Sequence, residues 1–219
     1  MTSTNCKLLQ QVLRPLSMKR ISRASSVLLL VLLLLHPIGL AHKQGIGQQA
    51  DNGCVCHGAE RELKTQPHID GLPERFNSSQ TYNLTLWMNS SIVGNEVSQG
   101  GFMLWHSAGV SSGGNDVQIM EGRLTHTEQG NAQRGWVIQW TAPEEDDIQV
   151  DFQLYVNAVN GNDDVSGDAW GSKVVSIAGQ NYSGNLKDAK VPGEESGFIP
   201  FLGATATVAI LALAARRLS

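Results

Sequence analysis

The chain has 219 residues, a formal net charge of −4, 23 glycines and only 16% charged residues. So little charge agrees with an exported protein, and the absence of a basic patch excludes nucleic acid as a partner.

In chain order, the first feature is a secretory leader over 1–41. Lys19, Arg20 and Arg23 form a basic region, the run 27–35 is unbroken apolar sequence, and Gly39 and Ala41 are the small residues of a cleavage site. The apolar run is shorter than the roughly 20 residues a spanning helix needs. Met18 directly precedes the basic cluster and is the expected true start, which would leave Cys6 outside the protein.

The segment 42–71 carries the chemistry-bearing residues, with Cys54, Cys56 and His57 lying within four positions. Three readings stand side by side. The cysteines close a small disulfide, as two exported cysteines usually do, although so short a loop is strained and stabilises little. Alternatively, they chelate copper or zinc with His57, because thiolate and imidazole are soft and borderline donors. In an extended backbone Cys54 and Cys56 would point the same way, and cleavage after Ala41 would add the α-amine and imidazole of His42. His68, His106 and Met103 are further candidate ligands. The third reading is haem, since Cys-x-Cys-His is one residue short of the Cys-x-x-Cys-His attachment motif.

From 72 to 180 the pattern has the two-residue period of half-buried strands. Tyr82, Leu84, Leu86 and Met88 alternate with Asn83, Thr85 and Trp87; Ile148, Val150, Phe152, Leu154 and Val156 alternate with Gln149, Asp151, Gln153 and Tyr155. Shorter strands are expected over 101–106, 117–124, 135–140 and 172–177. Turns are expected at 112–115, 129–131, 143–147 and 160–162. Six or seven strands of this kind predict an all-β fold, a single antiparallel sandwich of immunoglobulin type. Trp140 is expected in the core. Trp87 is expected to be exposed, where it would suit a ligand platform. The oxygen-rich run from Asn160 to Asp168 lacks the glycine and glutamate of a calcium loop and reads as a turn. Sequons start at Asn77, Asn83, Asn89 and Asn181, the expected glycosylation sites.

A linker over 181–196 leads to an uncharged apolar stretch from 197 to 215, closed by Arg216 and Arg217. The length suits a hydrocarbon core of about 30 Å, and the arginines belong on the cytoplasmic side. Residues 197–217 are therefore expected to anchor the chain in the membrane, with everything between the two signals outside.

The runs Trp140-Thr-Ala-Pro143, Asn157-Ala-Val-Asn-Gly-Asn162 and Ser166-Gly-Asp168, with the opening Gly53-Cys-Val-Cys-His-Gly58, resemble the choice-of-anchor V domain of surface proteins. That family is similar to the reelin-type (Reeler) domain. The tail from Ser196-Gly197-Phe198 resembles archaeal surface-protein sorting tails. The resemblance implies fold and location, and no activity. There is no nucleophile elbow, zinc-protease helix, phosphate loop or dinucleotide fingerprint, so an enzyme is not expected. The expected function is a membrane-anchored surface protein, a binding or adhesion module with an N-terminal metal site and an extracellular ligand or envelope component as partner. Two rivals are a membrane-tethered redox protein carrying copper or haem, and a purely structural envelope component.

Overall fold

The computed structural model describes residues 43–58 and 61–193. The leader, Met18, His42 and the 197–217 anchor lie outside the described residues, among which no helix is long and apolar enough to cross a membrane.

Ten strands and three short 3-10 turns make up the described chain, and the fold is all-β. Strands β1 (Thr65–Asp70), β3 (Thr81–Ser90), β8 (Gly135–Thr141) and β5 (Val110–Gly113) form a four-stranded sheet in the order β1-β3-β8-β5. The second sheet has six strands in the order β2-β10-β9-β4-β7-β6. These are β2 (Arg75–Phe76), β10 (Ala169–Gly179), β9 (Gln149–Ala158), β4 (Gly100–His106), β7 (Arg123–His126) and β6 (Val117–Met120). All pairings are antiparallel except that of β2 with β10.

The alternation read from the sequence explains how the two sheets pack. Leu84, Leu86, Met88, Trp136, Ile138 and Trp140 face Phe102, Leu104, Val150, Phe152, Leu154 and Val156 across one core. Burying each of these side chains contributes about 1.5–3 kcal/mol. The indoles find partners without leaving the core: Trp136 Nε1 donates to Gly130 O at 2.9 Å and Trp140 Nε1 to Ala108 O at 3.2 Å. Trp140 lies in the core as expected, edge-on to Phe152 at 5.0 Å.

Four expectations change. The run 117–124 is two strands, because Glu121 (φ 51°) and Gly122 (φ 74°) make a two-residue hairpin between Met120 and Arg123. Positive φ at both central residues is the type I′ geometry that suits strand twist. Ser112 and Gly113 belong to the edge strand β5 rather than to a turn. The first sheet begins at Thr65, ahead of the expected boundary at Leu72, since β1 pairs along β3 from Thr65↔Ser90 to Asp70↔Thr85. That pairing also occupies the expected platform. Trp87 is half-buried, stacked on His68 with centroids 3.9 Å apart, and its Nε1 donates to Asp70 Oδ2 at 2.7 Å.

β9 departs from half-burial most of all: Val150–Ala158 is buried on both faces. Its polar side chains point away from the core, yet the terminal segments cover them. Asp151 accepts from Gln149 Nε2 at 2.6 Å, Ser176 Oγ at 2.7 Å and Lys190 N at 2.9 Å. Residues 43–58 cover the other half of this face.

Two histidines on the six-stranded sheet give the fold an acid limit. Burial pushes His126 down to about 4, opposed by the Phe102 carbonyl 3.4 Å from Nδ1, and burial lowers His106 as well. An unfolded histidine titrates near 6.5, so between about pH 6.5 and 4 the unfolded chain holds the extra proton and stability falls as pH falls. For His126 the full loss is on the order of 3 kcal/mol. Urea-unfolding midpoints should therefore drop steeply over that window. His126→Asn, which keeps an acceptor for the Phe102 N–H, should flatten the limb to the part due to His106; an unchanged slope would exclude His126 as its source.

Candidate functional site

The outer face of the six-stranded sheet becomes a site because the N-terminal segment docks onto it. Ile46 N donates to Thr125 Oγ1 at 3.3 Å, and Gln48 N donates to Glu121 Oε2 at 2.9 Å on the hairpin tip. A first 3-10 turn, Gln48–Ala50, tucks Ala50 against Met103, Tyr155 and Trp170. Arg123 then grips the Asp51 carboxylate with two hydrogen bonds of 2.8 Å, and Tyr155 Oη donates to Asp51 O at 3.0 Å. Both side chains of the ion pair are largely shielded, at 12% and 18% exposure. A forked, charge-assisted contact of this kind is among the stronger polar interactions a surface offers.

Gly53 follows with φ +98°, and a Cβ there would lie 2.5 Å from the Trp170 ring. Only glycine combines that backbone with contact against an indole. The chain next enters a second 3-10 turn, Val55–His57, closed by His57 N donating to Cys54 O at 2.9 Å. Trp170 Nε1 donates to Gly58 O at 2.8 Å and holds the far end.

This turn overturns the expectation that Cys54 and Cys56 point the same way. At three residues per turn, positions three apart eclipse and positions two apart do not. Cys54 packs inward against Ala50, Met103, Tyr155 and Trp170, whereas Cys56 is exposed; both are free thiols. Burial pushes the Cys54 thiol up to about 12, and the neighbouring Cys56 adds in the same direction.

His57 is fixed by a residue far away in sequence. Its Nδ1 donates to Asp168 Oδ2 at 2.6 Å, with 14% of the imidazole and 2% of the carboxylate side chain exposed. Asp168 Oδ1 accepts from Asn160 N at 3.0 Å. A carboxylate on Nδ1 sets the tautomer that leaves the Nε2 lone pair available, the arrangement found behind metal-bound imidazoles.

Between the turn, β4, β9 and the 160–168 loop lies a pocket of about 120 Å3, lined by Cys54, Cys56, His57, Met103, Asn157 and Asp168 among others. Asn157 is 7% exposed, and its Oδ1 is buried without a hydrogen-bond partner. Lys43 Nζ meets Asp163 at 2.8 Å on the rim. The loop's own oxygens cap backbone N–H groups: Asn160 Oδ1 accepts from Asn162 N, Asn162 Oδ1 from Asp164 N, and Asp164 Oδ1 from Ser166 N. That is turn chemistry, as the sequence suggested.

The expected ligands divide. Cys54, Cys56, His57 and Met103 share the pocket, and His42 lies outside the described residues. His68 is stacked on Trp87, and His106 Nε2 shares a hydrogen bond with Ser111 Oγ at 2.9 Å; neither lines the pocket. Among the described residues, no three His, Cys, Asp or Glu side chains form a group that could hold a metal ion. Haem does not fit: the turn sends the thiols in different directions, and the volume is well below the roughly 300–1,000 Å3 of sites for drug-sized ligands. Asn157 and His126 also line the pocket, as does Asp168, which the sequence offers only as a calcium-loop oxygen read as part of a turn. Met103 and Asn157 share one further signal in the sequence, their outward phase between core residues on β4 and β9.

All four sequon asparagines, Asn77, Asn83, Asn89 and Asn181, are exposed.

No family model and no curated protein matches the chain. Among solved structures it resembles the human F-spondin reeler domain (TM-score 0.39, 15% identity, 55% of this chain and 92% of that one). It also resembles a cohesin module from a Clostridium perfringens family 33 glycoside hydrolase (0.36, 13%, 53% and 98%). A conjugative transposon lipoprotein from Bacteroides eggerthii is a third (0.35, 11%, 53% and 98%). At this level none of them lends the chain an activity, and the sandwich architecture stands on the two sheets themselves.

Two outcomes test the site as built. In iodoacetamide labelling at pH 8 followed by mass spectrometry, Cys56 should modify quickly and Cys54 only on unfolding; equal rates would contradict the inward turn. Gly53→Ala should destabilise by about 1–3 kcal/mol from the forced backbone alone. It should also expose residues 43–58 to limited proteolysis, and an unchanged digest would contradict the role given to Gly53.

Proposed function

We propose that this chain is an extracytoplasmic binding module, a β-sandwich held at the cell surface, whose recognition site is the pocket under the Cys54–His57 turn. One observation carries the reading: the orphaned Asn157 Oδ1 inside that pocket. A buried acceptor without a partner costs about 1–3 kcal/mol. Gln153 Oε1 on the same face and His106 Nδ1 are also buried without a partner, and of the three only Asn157 lines the pocket. A ligand that brings a donor or a positive charge would complete it.

Surface display is supported by the leader over 1–41, the apolar 197–217 stretch ending in Arg216 and Arg217, and four exposed sequons available for glycosylation. The resemblance to choice-of-anchor V proteins with an archaeal-type tail points the same way. The partner is an extracellular ligand or an envelope component, and the anchor is the membrane.

Protease added to intact cells should remove the sandwich domain while a cytosolic marker survives; protection of the domain would overturn surface display. Native mass spectrometry of chain extracted from its own membranes should show a bound mass, and a bare mass would overturn the pocket's role. Asn157→Leu should lower the occupancy of that mass and stabilise the domain by about 1 kcal/mol, since it removes an unpaired buried acceptor.

A further inference from the structure

We propose that the pocket binds one copper(I) ion through the Cys54 thiolate, His57 Nε2 and the Met103 thioether, with Asp168 positioning the imidazole. The proposal rests on the pocket being the ligand site and names its ligand class.

The choice follows from which donors are free and how much room they have. His57 and His126 both line the pocket, but their ring nitrogens are committed differently. Asp168 Oδ2 accepts a hydrogen bond from His57 Nδ1, which leaves the lone pair on Nε2. His126 Nδ1 is instead engaged by the Phe102 backbone, with its N–H at 3.2 Å and its carbonyl at 3.4 Å. His126 is a structural residue, with a ring so close to Gly101 that a Cβ there would lie 2.2 Å from Cε1.

The sulfur donors divide in the same way. Cys54 faces inward, packed against the cluster that contains Met103, and lines the same pocket as His57. Cys56 faces solvent. The inward set is therefore one thiolate, one thioether and one imidazole. Thioether sulfur is not among zinc's usual ligands, which are cysteine, histidine and carboxylate. Thiolate together with thioether is the soft pairing that copper(I) selects, and three ligands suffice for it. A pocket of about 120 Å3 holds an ion and its immediate neighbours with space to spare. On binding, the Cys54 S–H bond breaks, its proton leaves to solvent and a sulfur–copper bond forms, with no change of oxidation state. Asn157 Oδ1 lies on the same wall, an acceptor for any water that accompanies the metal.

The test is a titration of the reduced full-length chain, in detergent, with copper(I) in competition with bicinchoninate. One equivalent should bind, and X-ray absorption should show sulfur and nitrogen neighbours. Cys54→Ser, His57→Gln and Met103→Leu should each weaken binding at least about tenfold. Asp168→Asn should weaken it by about 10–100-fold, as loss of a carboxylate behind a metal-bound histidine does. Cys56→Ser should leave the affinity unchanged. Met103→Leu conserves volume and keeps the fold, so its loss of affinity cannot be ascribed to unfolding. Binding that survives Met103→Leu but fails in Cys56→Ser would overturn the assignment in favour of a two-cysteine chelate. Absence of copper(I) binding, with a non-metal mass still present on the native chain, would overturn the metal and leave the pocket reading intact.

Discussion

Everything distinctive about this molecule depends on covering the outer face of β9. Antiparallel sheets usually leave one face to water, and the alternating Asp151, Gln153, Tyr155 and Asn157 look suited to that. Here the Arg123–Asp51 fork and the Tyr155 hydroxyl pin residues 43–58 across them. Without that clasp there would be no pocket, no inward Cys54 and no neighbour for His57. Removing one partner of so shielded an ion pair would strand the other charge, which makes the docking close to all-or-none.

The core was legible and the site only half so. Period-two alternation located β3, β4, β8 and β9, because one face of each meets the opposing sheet. The same rule misled on the opposite face, since periodicity reports where a strand meets its own core and is silent on a segment arriving from elsewhere in the chain. Edge strands such as β5 were hidden by serine and glycine, whose turn chemistry outweighs strand propensity in a short window. The Cys-Val-Cys-His run was legible as chemistry but not as geometry. A 3-10 turn separates two cysteines that an extended chain would align. His57 and Asp168 meet only because β10 returns the chain beside the turn, a contact of sequence separation 111.

The contrast between the histidines of this face shows how little residue type alone decides. His126 and His57 differ in what meets Nδ1: the Phe102 backbone in one, the Asp168 carboxylate in the other. The first becomes a buried neutral strut that limits stability in acid. The second keeps a lone pair on the side away from its partner. A similar division separates Cys54 from Cys56 within a single turn.

Asp51 also stands next to the last of the described chain. Val191 is buried, and Gly193 runs so close that a Cβ there would lie 2.3 Å from Asp51 O and 2.8 Å from Asn52 Oδ1. The two covering segments thus abut at the residue that clamps the pocket's lining to the sheet. Tension applied from the C-terminal side would reach the domain at that junction before it reached the core. It would reach the clasp at Asp51 ahead of the paired strands. A pocket placed there borders the junction through which any load on Gly193 would enter the sandwich.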